Sequence, residues 1–117
     1  MQPHATVSRA EVERVVKRDF PPGQFDEVMA TLDEYGTEDW QRERDRVQAA
    51  VLKLAGGSLE ALRRHIEWAK RDYRDVLGPA EYPLYTKKMF RIGQLSAEER
   101  RRIIDADWKQ YQEWFTR

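Results

Sequence analysis

From Leu59 to Leu77 the apolar side chains return every third or fourth residue: Leu59, Leu62, Ile66, Ala69, Tyr73 and the Val76/Leu77 pair. A segment with that period buries one continuous face only as an α-helix, because a strand would need alternation at every second residue. Charged pairs four residues apart, Glu60 with Arg64, Glu67 with Arg71 and Arg71 with Asp75, occupy the opposite side. The same spacing recurs along the chain, and no window shows sustained period-two alternation of β-branched residues, so no sheet is expected. The expected fold class is all-α.

Helix punctuation divides the rest. Ser8 and Glu11 form an S-x-x-E capping box with Val7 and Val12 at the staple positions, which predicts a first helix over about Arg9 to Asp19. Pro21, Pro22 and Gly23 interrupt it. Phe25, Val28, Met29, Leu32 and Tyr35 then define a second helix ending at Gly36. Thr37 is the expected cap of a third helix with an inward stripe of Trp40, Val47, Ala50, Val51 and Leu54, stopped by Gly56 and Gly57. Ser58 caps the fourth helix, which Gly78 and Pro79 should end. Pro83 suits the first position of a short helix to about Ile92, with Tyr85, Met89 and Ile92 inward and Gly93 following. A last helix begins at Ser96 with a second S-x-x-E box and carries Ile103, Ile104, Trp108, Tyr111 and Phe115, with Trp114 on a flanking side. The expectation is one domain over residues 1–117, a bundle of five main helices plus one short helix, with residues 1–7 as a flexible tail.

A chain of 117 residues is long enough to bury roughly two-thirds of its unfolded surface without a metal or disulfide. Cysteine is absent, which removes thiolate nucleophiles and zinc-thiolate sites and is compatible with a reducing compartment. The amino terminus lacks the basic start and apolar run of a secretory signal, and no apolar stretch approaches a membrane span, so a cytoplasmic protein with no membrane partner is expected. The 21 basic and 21 acidic residues cancel, but unevenly along the chain: residues 19–45 hold nine acids and two arginines, residues 46–104 thirteen bases and seven acids. Either these charges sit beside one another once folded, or they form a dipolar surface that steers a charged partner.

Little points to catalysis. His4 and His65 are the only histidines, and phosphate-loop, dinucleotide and metal-helix motifs are missing, so no cofactor, metal or catalytic residue is assigned and an enzyme is the less favoured reading. Asp72, Asp75 and Glu81 are carboxylates close enough in sequence to divide acid and base roles, but Lys70, Arg71 and Arg74 beside them favour ion pairing. Basic clusters at Arg63–Arg74, Lys87–Arg91 and Arg100–Arg102 interleave with aromatics, yet the neutral balance argues against nucleic acid. Trp68 and Trp114 project off their helix stripes; they are either covered by neighbouring helices or exposed as anchors for a partner.

The densest polar stretch is DYRDVLGPAEYPLY, Asp72 to Tyr85. Tyr82 and Tyr85 flank Pro83 and are placed to lock the corner to Asp72 or Arg74 through their hydroxyls, a structural role. The same groups offer a binding surface, and Asp72, Arg74, Asp75, Glu81, Tyr82, Tyr85, Trp68 and His65 are the candidate binding residues. The run LKLAGGSLEALRRHIEWAKRDYRDVLGPAEYP with the terminal DWKQYQEWF resembles a group of short, mainly bacterial, all-helical proteins of uncharacterised function, from about Phe20 onward. Its distinctive parts are Asp72–Asp75, Ala80–Pro83, Asp107 and Trp108. The resemblance implies a single helical domain and no activity. The expected function is therefore contact with another protein or a second copy, as an accessory, regulatory or toxin-neutralising subunit. The alternative is a small-molecule-binding or enzymatic bundle with a polar pocket around residues 72–85.

Overall fold

The computed structural model describes residues 6–117; the expectations for His4 and for residues 1–5 of the tail lie outside the described residues. The elements are α1 (Arg9–Asp19), α2 (Phe25–Leu32), α3 (Arg44–Ala55), α4 (Leu59–Arg71), α5 (Arg74–Glu81), α6 (Pro83–Lys87) and α7 (Ala97–Thr116), with 3-10 turns at Pro22–Gln24 and Met89–Gln94. No strand occurs among the described residues, so the fold is all-α.

The core is built around α3, where six consecutive residues, Val47 to Leu52, have no exposed surface. A helix covered on every side must be apolar or satisfied all round. Ala49 and Ala50 let neighbours approach closely, and α1, α4 and α5 pack around it. The polar member of that run, Gln48, donates to the carbonyls of Leu32 (2.9 Å) and Tyr35 (3.2 Å) and accepts from Arg9 (3.0 Å). It thereby satisfies carbonyls that the end of α2 leaves without helical partners. Two arginines of α1 do the same for α7: Arg14 donates to the Phe115 carbonyl and Arg18 to that of Trp114, both at 2.7 Å. Their guanidiniums also lie over the Phe115 and Trp114 rings.

The Ser8–Glu11 box closes in both directions, with Val12 buried and Val7 packed on the core, as the staple positions require. Elsewhere boundaries differ from expectation for identifiable reasons. The second helix stops at Leu32, and Thr37 caps nothing: Gln41 Oε1 accepts the backbone N–H groups of Gly36, Thr37 and Glu38 and folds residues 36–41 into a tight turn. The third helix therefore starts at Arg44, and Trp40, expected inward, is half exposed. The fourth helix does not run to Leu77. Asp72 is extended (φ −158°), its side chain accepts the Arg74 N–H, and a separate helix begins that contains Gly78 and Pro79. The hydrogen bond that Pro79 cannot donate would have served the carbonyl of Asp75, an exposed residue where water can substitute. The short helix ends at Lys87 and continues as a 3-10 turn, which turns Met89 outward. The result, among the described residues, is six main helices and one short one.

Candidate functional site

The residues singled out between Asp72 and Tyr85 are held by three different sets of contacts. Asp72 and Arg74 form a clasp with each other: Asp72 Oδ1 accepts from the Arg74 backbone N and Nε (both 3.0 Å) and Oδ2 from Nη2 (2.9 Å). The hydrogen bonds from Arg74 hold the Asp72 carboxyl below its usual range, so it does not serve as a proton donor near neutrality. This clasp is the device that starts α5.

Glu81, by contrast, is buried. It accepts two hydrogen bonds from Arg46 of α3, at 2.6 and 2.8 Å, in the bidentate geometry that suits guanidinium and carboxylate. Arg46 also reaches Glu43 (2.8 Å), and the hydrogen bonds that it donates to Glu81 chiefly make its proton harder to remove. Beside it Tyr82 is half-buried, and burial raises its phenol above the ordinary value. The lock on the corner is Asp107, fully buried on α7, whose two carboxylate oxygens accept the backbone N–H groups of Leu84 (2.9 Å) and Tyr85 (3.0 Å). These are orphan donors at the start of α6, and an anionic cap there also complements the local dipole. The expectation that tyrosine hydroxyls bind Asp72 or Arg74 is thus corrected: Tyr85 is anchored through its backbone to a residue of another helix. The Tyr82–Pro83 bond is trans.

The third group lies on the outside of α4 and α5. Trp68, Arg71 and Asp75 line an open cleft of about 360 Å³, and His65 meets the Trp68 ring edge-on at 5.0 Å. His65 Nδ1 is buried with no hydrogen-bond partner among the described residues, and burial, helped by Arg64, lowers the imidazole pKa. Trp68 keeps 43 % of its surface exposed, whereas Trp114 is buried in the aromatic stack with Tyr111 and Phe115. Of the two off-stripe tryptophans, one is covered by neighbours and the other is an accessible ring.

A fourth surface was not singled out from the sequence. In the segment after α5, Leu84, Met89 and Phe90 are exposed by 40, 54 and 95 %. Between Leu84 and Arg101, the side chains of Lys87, Lys88, Arg91, Arg100 and Arg101 have no ion-pair partner among the described residues. Elsewhere part of the charge is paired. Three acids of the 19–45 segment pair across the bundle, Glu27 with Arg63, Asp33 with Arg9 (2.7 Å) and Glu34 with Lys70 (3.2 Å), and Glu43 pairs within one turn with Arg46. The uneven charge seen along the chain is therefore partly neutralised on the body, and the segment from Leu84 to Arg101 keeps a run of cations without ion pairs among the described residues. The sequence signal for this surface was the run KKMFR, in which Phe90 falls off the expected Tyr85, Met89, Ile92 stripe.

No protein-family model, curated protein or solved structure matches this chain. No helix among the described residues is long and apolar enough to cross a membrane.

Proposed function

We infer that this chain works through contact with another protein, as an accessory or regulatory subunit, and that the segment from Leu84 to Arg91 is the contact element. The observation that carries this reading is Phe90, a large aromatic side chain with 95 % of its surface in water, flanked in sequence by Lys87, Lys88 and Arg91, which have no ion-pair partner among the described residues. Interfaces take most of their energy from a few aromatic and arginine anchors, and unpaired rim charges accelerate encounter with a partner of opposite sign. Two of the carboxylates of the 72–85 corner, in contrast, are engaged: Glu81 with Arg46, and Asp72 with Arg74 and its backbone amide. The test is affinity capture from the native cell extract with wild-type and Phe90→Ala protein, after circular dichroism has shown equal helicity. A protein retained by wild type and lost by the variant supports the reading; identical retained sets overturn it.

The cleft beside Trp68 favours a second reading, a small polar ligand held by the ring, Arg71 and Asp75. A metabolite that raises the melting temperature of wild type but not of Arg71→Ala would support it.

A further inference from the structure

We propose that the cleft lined by Trp68, Arg71 and Asp75 binds a free aromatic α-amino acid in its zwitterionic form. This rests on the small-ligand reading above and names the class of ligand. In a continuous helix, spacing would pair Arg71 with Glu67 on one side and with Asp75 on the other. The fold makes neither pair. Glu67 is taken by Lys70 (2.9 Å), and the extended Asp72 ends α4 at Arg71, so that Asp75 belongs to a different helix. Arg74, the cation next to Asp75 in the chain, is held by Asp72 (2.9 Å). Arg71 and Asp75 are both exposed and enter no ion pair among the described residues, yet they line the same cleft.

A site with one unspent cation and one unspent anion works against singly charged ligands. A carboxylate alone satisfies Arg71 and is repelled by Asp75, and an amine alone meets the reverse conflict. A zwitterion satisfies both. The third wall is the indole of Trp68, 43 % exposed and met edge-on by the His65 ring at 5.0 Å. An indole face that remains in water is a stacking surface for another ring. The cleft volume of about 360 Å³ lies at the small end of the range for ligand sites, about 300 to 1,000 Å³, which suits a single amino acid. An open cleft covers only part of its ligand, so the expected dissociation constant is on the order of a millimolar.

The test is a nuclear magnetic resonance titration of the isotope-labelled full chain, with the Trp68 indole N–H resonance assigned by its loss in Trp68→Phe. L-phenylalanine is expected to shift that resonance saturably. Phenethylamine, which lacks the carboxylate, and phenylpropionate, which lacks the ammonium, should each bind about two- to fivefold more weakly, the factor for one exposed charge pair. Arg71→Gln should weaken phenylalanine by the same factor without weakening phenethylamine, and Asp75→Asn should do so without weakening phenylpropionate. Both substitutions are at exposed positions, so the variants are expected to fold. No saturable shift at Trp68 overturns the proposal, as do singly charged analogues that bind as tightly as phenylalanine, or variants that bind it like wild type. L-leucine binding as tightly as phenylalanine overturns the aromatic class. If another metabolite raises the melting temperature of wild type but not of Arg71→Ala while phenylalanine leaves Trp68 unmoved, the small-ligand reading stands and this inference falls.

Discussion

Replacing Glu81 by alanine leaves the Arg46 guanidinium inside the protein facing an empty space, and loss of one partner of a buried pair costs about 3 to 5 kcal/mol. Because Arg46 keeps its contact to Glu43, the lower end of that range is expected from urea denaturation. Arg46→Met combined with Glu81→Leu should recover most of the loss, since it removes both charges together. His65 supplies a second expectation, on pH. Its pKa is lowered in the folded chain, so below the ordinary imidazole value of about 6.5 the unfolded chain binds the proton first and folding loses stability as pH falls. The decline continues down to the depressed folded pKa and should flatten in His65→Gln, measured as melting temperature from pH 7.5 to 5. Which residues face inward was legible from periodicity: Leu62, Ile66 and Ala69 are buried as their spacing requires. The partner of Glu81 was not, because Arg46 is 35 residues away and nothing in local spacing joins them.

Helix existence was also readable from period and caps, and three helix ends were misplaced where a side chain competes with the backbone. Asp72 captures the Arg74 amide and splits one predicted helix into α4 and α5; Gln41 captures three amides and postpones α3. Such contests depend on where one carboxylate or carboxamide turns, which composition and spacing do not specify. Asp107 is the clearest instance across elements, since it caps α6 from the far side of a connection. Asp107→Ala strands two amide donors, at about 1 to 3 kcal/mol each if they remain away from water. Hydrogen exchange should report it locally: amides of Leu84 and Tyr85 exchange faster, while those of α1 to α4 keep their protection. Asp107→Asn retains one acceptor and should fall between.

Over the whole molecule, Glu27, Asp33 and Glu34 are brought beside Arg63, Arg9 and Lys70 by the packing of α1, α2 and α4, while the cations at the end beyond α5 have no such partner among the described residues. That end contributes little to the core. Phe90→Ser should therefore change unfolding free energy by no more than about 0.5 kcal/mol, as for an ordinary surface position, whatever it does to association. A larger loss in chemical denaturation would show that the ring packs against its own chain. The Asp107 cap has a further consequence for synthesis. A growing polypeptide leaves the ribosome with Leu84 and Tyr85 already made while the carboxylate that receives their amides is still 22 or 23 residues from being added. The cationic end consequently acquires its final form only once Asp107 has been added, and a message cut short before codon 107 yields a body on which the start of α6 is never set.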